Sequence, residues 1–291
     1  MKILVLGATG MLGNEVFTSL GKHNDFDVWG SLRSESGLQY FPVENHSKLI
    51  CDLDVLDEAS LSSVFLRIQP DVVINCVGVI KQLSASKDPL VVLPINAMLP
   101  HRLLKQCQQH HARLIHLSTD CVFSGRKGSY VETDISDAED LYGKSKYMGE
   151  VTDAPEAITL RTSIIGHELH SHDALIDWFL SQTKEVNGYV NAIFSGLPTY
   201  ELARVMMEVV IPNPKLMGLY HVASAPINKY ELLTEVAKRY GKKINIISNG
   251  DLKIDRSLNA ERFLEATGYR SLAWPDMIDR MFQQRRRHVS C

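Results

Sequence analysis

An α/β fold with a parallel sheet is predicted for this 291-residue chain, and three features predict it. Short apolar runs alternate with longer amphipathic stretches through the first half. The apolar runs are nearly continuous, as in strands buried on both faces. A glycine-rich turn, within LVLGATGMLG, joins the first run to the first amphipathic stretch. Strands alternating with helices give parallel strands joined by right-handed crossovers. The expected class is a Rossmann-like doubly wound parallel sheet with a smaller C-terminal α+β lobe.

The elements follow in order. KILVLG (2–7) is a β-branched run stopped by glycine, and MLGNEVFTSLGK (11–22) has helical spacing. FDVWGS (26–31) and KLICD (48–52) read as the second and third strands. DEASLSSVFLRI (57–68) is a helix with Leu61, Val64, Phe65 and Ile68 on one face. DVVINCVG (71–78) is a buried strand. PINAMLPHRLLKQCQQHH (94–111) is helical, with a kink expected at Pro100. ARLIHLST (112–119) is a strand, LYGKSKYMGEV (141–151) a helix and AITLRTSII (157–165) a strand. These make one domain over 1–165. Over 166–291 the pattern loosens. HELHSHDALIDWFLSQ contains a helix, YELARVMMEVVI (200–211) and NKYELLTEVAKRYG (228–241) are two more, and GLYHVAS (218–224) is a strand between them. This second part reads mostly as a separate lobe, some of whose segments could return to the main sheet.

Composition excludes several classes. The chain is 45% hydrophobic and 22% charged, with a net charge of −3. That balance suits a soluble globular protein and gives no support for a nucleic-acid partner. The basic tail QQRRRH (283–288) fits a helix end, where cations suit the dipole. Five cysteines, Cys51, Cys76, Cys107, Cys121 and Cys291, have no paired spacing. An odd, unpaired set fits a reducing cytoplasm. No run approaches the roughly 20 apolar residues of a membrane span. The apolar start breaks into glycines too early for a signal peptide, and Cys291 is not fourth from the end, as prenylation requires.

Gly7, Gly10 and Gly13 lie between a strand and a helix in a G-x-x-G-x-x-G spacing. Glycines permit a tight turn and close backbone approach, and the helix start offers free N–H groups to an anion. A dinucleotide site is therefore expected there, with the backbone of Thr9, Met11 and Leu12 taking part. The second strand ends GSLRS without the acid that would bind a ribose 2′-hydroxyl, but with Arg33. An Arg suits a 2′-phosphate, so NADPH is expected over NADH. Asp52 and Leu53, after the third strand, are candidates to meet the adenine. Cys76, Val77 and Gly78, after the fourth, are candidates to pass beside the cofactor.

Ligands of doubly wound sheets bind beyond the carboxyl ends of strands. Ser118, Thr119 and Asp120 end a core strand, and Tyr142 and Lys146 stand four apart in YGKSK. Positions i and i+4 share a helix face, so the ammonium is expected to lower the phenol's pKa. Thr119 is then a hydroxyl donor, Tyr142 an acid and Lys146 a cation that also holds the nicotinamide ribose. A hydroxyl, a Tyr and a Lys beside a dinucleotide imply hydride transfer at a C–OH/C=O centre. Candidate residues around the substrate are Val79, Lys81, Thr119, Asp120, Cys121, Tyr142 and Ile164.

In this order and spacing, GATGMLG, STDCVFSG and YGKSK resemble an extended short-chain dehydrogenase/reductase, most closely the dTDP-4-dehydrorhamnose reductase family. LRTS (160–163), GLPTYELA (196–203) and GLYHVAS (218–224) extend the likeness over nearly the whole chain. The resemblance implies that Thr119, Tyr142 and Lys146 are the catalytic triad and that Gly7, Gly10 and Gly13 bind pyrophosphate. It implies NAD(P)H-dependent reduction of the C4 ketone of a nucleotide-linked 4-keto-6-deoxy sugar, for surface polysaccharide synthesis. The second part would be the substrate-binding lobe, and a homodimer is a candidate assembly. Relatives in this family commonly carry Trp after RTS, where this chain has Ile164 and Ile165, and the NCVGVIKQ loop (75–82) departs too. A UDP-linked substrate is therefore as acceptable as a dTDP-linked one. The run Thr119-Asp120-Cys121 lacks the Glu of the 4,6-dehydratases, which speaks against dehydration.

Two other readings stay open: a nucleotide-sugar epimerase with bound NAD, and a non-catalytic NADP-binding regulatory subunit of methionine adenosyltransferase, which one relative is. No metal site is expected. His167, His170 and His172 lack the matching Cys or acid pattern of a zinc site. Arg204, Lys215 and Arg256 are weak candidates for the diphosphate.

Overall fold

The run KILVL forms β1 (Lys2–Leu6), whose Ile3, Leu4, Val5 and Leu6 are fully buried. Two-sided burial is the property that made it legible as a central strand. The structure, a computed structural model, describes residues 1–81, 84–169 and 173–289. Further strands are β2 (Asp27–Ser31), β3 (Leu49–Ile50), β4 (Val72–Asn75), β5 (Arg113–Thr119), β6 (Ala157–Thr162) and β7 (Ile164–Ile165). They continue with β8 (Val186–Tyr189), β9 (Ala192–Phe194), β10 (Leu197–Pro198), β11 (Gly218–His221), β12 (Ile227–Asn228), β13 (Ile246–Asn249) and β14 (Ile254–Asp255).

Seven of these strands form one sheet in the order β11-β6-β5-β4-β1-β2-β3, every pair parallel. The chain runs outward from β1 to β3, then returns to β4 on the other side of β1. That reversal leaves a crevice at the carboxyl ends of β1 and β4, the place where doubly wound sheets take ligands. Strand β11, from the second half of the chain, closes the sheet beside β6. The remaining strands make small two- and three-stranded pieces, among them β10-β7 and β12-β9-β14.

The helices are α1 (Met11–Leu20), α2 (Glu58–Ile68), α3 (Pro89–Val92), α4 (Leu99–Gln109) and α5 (Leu141–Met148). They continue with α6 (Leu175–Ser181), α7 (Thr199–Val205), α8 (Lys229–Tyr240), α9 (Glu261–Thr267) and α10 (Trp274–Val289). One face of the sheet packs α1 with α7, α8 and α10 through Val16, Phe17, Leu202, Val236 and Met277. The other packs α2 and α4 through Leu61, Phe65, Leu99 and Leu103. The predicted face Leu61, Val64, Phe65 and Ile68 of α2 is buried throughout.

Two details differ from expectation. The irregularity between α3 and α4 is a π-helical turn at Leu93–Met98, upstream of Pro100, which instead sits in the first turn of α4. The run 157–165 is two strands, because β6 ends at Thr162 and Ile164–Ile165 pairs with β10 instead. No helix of the described residues is long and apolar enough to cross a membrane.

Candidate active site

At the carboxyl end of β1 the chain turns on Gly7, whose φ is +82. A Cβ there would press on Val77 and on the Cys76 backbone, so the turn lies against the segment that follows β4. Gly10 precedes α1 and supplies no capping side chain, which leaves the N–H groups of Met11, Leu12 and Gly13 at the helix start for an anion. A Cβ on Gly13 would overlap the Gly7 carbonyl oxygen. Helix and turn are therefore in backbone contact. Leu12 itself is buried, so only its backbone faces that cradle. Thr9 packs toward Gly37 in the segment after β2.

The other predicted cofactor residues follow the carboxyl ends of β2, β3 and β4. Arg33 is exposed just past β2. Asp52 is exposed with a φ of 56 just past β3. The Leu53 side chain is buried in the cluster that holds Leu61, Val64 and Leu103, which leaves only its backbone to meet an adenine. Gly78 is exposed, and Val79 is clamped by Asn96, which accepts from the Val79 N–H at 2.9 Å and donates to its carbonyl at 3.0 Å. Asn96, in the π-helical turn, escaped sequence reading because nothing in PINAM distinguishes it. Its amide also reaches Ser145 Oγ at 3.3 Å, tying the loop after β4 to α5.

Thr119 ends β5, and Asp140 caps α5 by accepting from the Gly143 N–H at 2.8 Å. That cap starts the helix carrying Tyr142 and Lys146. Lys81 pairs with the same Asp140 at 2.5 Å, beside the candidate crevice. Thr119 Oγ1 donates to Asp120 Oδ1 at 3.2 Å and accepts from the Cys121 N–H at 3.1 Å, and its hydroxyl lies near enough to the Tyr142 phenol to act on its pKa. Lys146 is buried and donates to the Leu117 carbonyl at 2.7 Å. Thr119, Asp120, Cys121 and Tyr142 thus form one cluster, with Lys146 behind it.

The electrostatics correct one expectation. Burial raises the Tyr142 pKa, Cys121 and Asp120 add to that, and only the Thr119 hydrogen bond opposes them. The lowering expected from Lys146 is not found. Burial instead pulls Lys146 down to about 8, against the opposing field of Glu150. The pair is a neutral phenol, hence a proton donor, with an ammonium behind it near neutral pH. Asp120 is also raised by burial, which Arg256 opposes. The Cys121 and Cys76 thiols are each pushed up to about 12 by burial, so neither is a nucleophile near neutral pH.

Of the three cations considered for a diphosphate, Arg256 reaches the crevice. Its Nε donates to the Phe123 carbonyl at 2.8 Å, and Nη1 lies 3.8 Å from Cys121 Sγ. Arg204 is held by Glu201 and Glu208 on α7, and Lys215 is exposed before β11, at the opposite end of the sheet. Lys229 was missed: it opens α8, feels the Asp120 charge, and lies 4.4 Å above the Phe194 ring. An amphipathic helix gives no sign that its first residue faces a crevice. Ile164 lies in β7, close to Gly166, which abuts Met11 of the glycine turn.

Among the described residues no cluster could hold a metal ion. His167 is engaged by Asp177 at 2.6 Å and by Tyr240 at 2.8 Å. His170 and His172 lie outside the described residues.

Residues 1–280 match the model of the RmlD substrate binding domain. The chain is 30% identical to a dTDP-4-keto-6-deoxy-D-glucose reductase of Streptomyces niveus, over 76% of this chain and 72% of that protein. It is 29% identical to methionine adenosyltransferase 2 subunit beta of Danio rerio, over 82% of this chain and 74% of that protein. In structure it is similar to a dTDP-4-dehydrorhamnose reductase of Bacillus anthracis in complex with NADP. That pair superposes with a TM-score of 0.77 at 20% identity, covering 97% of this chain and 99% of the other. The chain belongs to the RmlD substrate binding domain family.

Proposed function

We propose that this family member reduces the C4 ketone of a nucleotide-linked 4-keto-6-deoxy sugar with NADPH. The observation that carries the reading is the cluster of Thr119 at the end of β5 with Tyr142 and Lys146 of α5, whose ammonium donates to the Leu117 carbonyl of the same strand. The NADP complexed by one structural neighbour and the reductase activity named in one sequence relative support it. The uncapped start of α1 and the Gly7–Gly13 backbone contact fit a pyrophosphate, and Arg33 suits a 2′-phosphate.

Bound there, NADPH supplies the hydride that reduces the ketone carbon. The residues of the chain do the rest. Tyr142 gives its phenolic proton to the oxygen that becomes the alcohol, and Thr119 hydrogen-bonds that same oxygen. Lys146, as an ammonium, is available to hold the nicotinamide ribose. Asp120, Cys121, Val79, Lys81 and Ile164 line the sugar side, with Arg256 and Lys229 available to anionic groups of the nucleotide. The substrate panel distinguishes a uracil from a thymine nucleotide.

Two predictions follow from single groups. Turnover requires the ammonium form of Lys146, whose pKa is about 8. A cationic acid is charged below its pKa and neutral above it, so activity is full near pH 7 and falls as pH rises through about 8. A pH–rate profile of kcat/KM checks this; a rate that stays level to pH 10 contradicts it. Arg33→Ala is expected to weaken NADPH about tenfold or more while leaving NADH unchanged, since a charge-assisted phosphate contact is lost. Fluorescence titration with both cofactors reads the difference, and equal weakening of the two would remove Arg33 from the 2′-phosphate site.

The likeness to methionine adenosyltransferase 2 subunit beta favours a second reading, a regulatory subunit that binds NADP. An epimerase with bound NAD is a third. Purified protein that binds NADPH, oxidises it with no sugar, and co-elutes with a catalytic partner would favour the regulator. NAD retained through purification would favour the epimerase.

A further inference from the structure

A buried polar chain runs behind the crevice, built from groups that the proposed chemistry leaves unused. Glu150 lies four residues beyond Lys146, just past the end of α5. It meets Arg161 of β6 in a two-pronged ion pair, with Nε to Oε1 at 2.6 Å and Nη2 to Oε2 at 2.6 Å. Each side chain is 2% exposed. Glu150 Oε1 also accepts from Ser118 Oγ at 2.6 Å, so the carboxylate reaches the residue before Thr119.

On its other side Arg161 Nη1 lies 3.3 Å from His221 Nε2, and His221 Nδ1 lies 3.0 Å from the Tyr130 carbonyl. A guanidinium only donates and a carbonyl only accepts. His221 is therefore the neutral tautomer with its proton on Nδ1. Burial and the Arg161 charge push its pKa down to about 3, which keeps it neutral. The chain thus links the end of β5, the end of α5, β6 and β11.

A buried ion pair is an expensive way to fill space. Apolar side chains of similar volume often serve stability as well or better. What an apolar pair could not supply is a fixed negative charge near Lys146. Lys146 Nζ donates to the Leu117 carbonyl at 2.7 Å, and the next residue of β5, Ser118, donates to Glu150 at 2.6 Å, so both charges meet adjacent residues of one strand. The titratable groups acting on Lys146 are Glu150, Cys76 from β4 and His116 from β5. Cys76 is a neutral thiol and His116, held well below its ordinary range by burial, a neutral imidazole. Tyr142 on the same helix is a neutral phenol. Glu150 is left as the one counter-charge in that set.

We infer that Glu150, fixed by Arg161 and Ser118, is a positioning residue that holds Lys146 as an ammonium behind the crevice. The inference rests on the reading above only in taking Lys146 as the active cation.

The test follows the Lys146 titration by NMR in protein carrying 13C-labelled lysine, with Lys146→Met to assign the signal. Glu150→Gln should lower the Lys146 midpoint by about 1 pH unit or more, and Glu150→Asp, which keeps the charge, should restore most of it. Because Glu150→Gln leaves Arg161 uncompensated and can unfold the chain, Glu150→Gln/Arg161→Met removes both charges and is read the same way. Glu201→Gln breaks a different buried pair, with Arg204 on the opposite face of the sheet, and should leave Lys146 unmoved. An unchanged midpoint in the Glu150 variants, or an equal shift in Glu201→Gln, overturns the inference. The readout needs neither sugar nor NADPH. A wild type without reductase activity would therefore sink the functional reading and leave this one standing.

Discussion

Tyr142→Phe is expected to cut turnover about 1,000-fold, within the range that a positioned acid contributes, while NADPH affinity stays as it was. The variant removes one oxygen. In the fold Tyr142 is half-buried beside Thr119, and its phenol is neutral because desolvation raises its pKa. Its loss deletes the proton donor without disturbing the glycine turn, which lies on a different strand end. Stopped-flow absorbance gives the turnover, and a fluorescence titration gives the affinity. A fall in both together would mean that Tyr142 holds the cofactor rather than donating a proton. A small fall in turnover would assign the proton to another group, with Asp120, raised by burial in the same cluster, the next to test.

Gly13→Ala is expected to have the second-largest effect, on folding and on cofactor binding at once. One methyl group would overlap the Gly7 carbonyl oxygen, which is backbone and cannot swing aside as a side chain could. Relief requires α1 to move off the turn. Overpacking of this kind costs about 3 kcal/mol or more, and the displaced helix start loses its alignment with the pyrophosphate. Urea unfolding reads the first effect and NADPH titration of the folded fraction the second. Gly10→Ala is the contrast: a Cβ there meets only the Gly7 oxygen at 3.4 Å, an ordinary contact. Equal losses in both variants would contradict the packing argument.

The contrast between these glycines shows what a sequence carries and what it leaves out. Spacing marks Gly7, Gly10 and Gly13 alike, yet only coordinates reveal which of them touches backbone. The sheet was legible because β1 and β4 are buried on both faces and so read as nearly unbroken apolar runs, while β5 and β6 are apolar enough to read as strands despite buried His116 and Arg161. Short strands such as β7 and β10 carry no such signal, since two residues make no period. Thr119, Tyr142 and Lys146 could be picked out because residue type and spacing speak together. Asn96, Lys229 and the Glu150–Arg161 pair could not. Their roles come from elements distant in sequence, brought together only when β5, β6, α5 and α8 pack. The pKa of Tyr142 was misjudged for the same reason. A helix face shows that Lys146 is near, but not how much burial surrounds the phenol or that the ammonium points to the Leu117 carbonyl.

The measurement that bears most directly on the account is the loss of absorbance at 340 nm. Purified protein is mixed with NADPH or NADH and a small panel of dTDP- and UDP-linked 4-keto-6-deoxy sugars, with Tyr142→Phe alongside. The account predicts that at least one sugar oxidises NADPH with the wild type and not with the variant. If NADPH binds and no sugar in the panel oxidises it, or if Tyr142→Phe turns over as fast as the wild type, the reductase reading is contradicted.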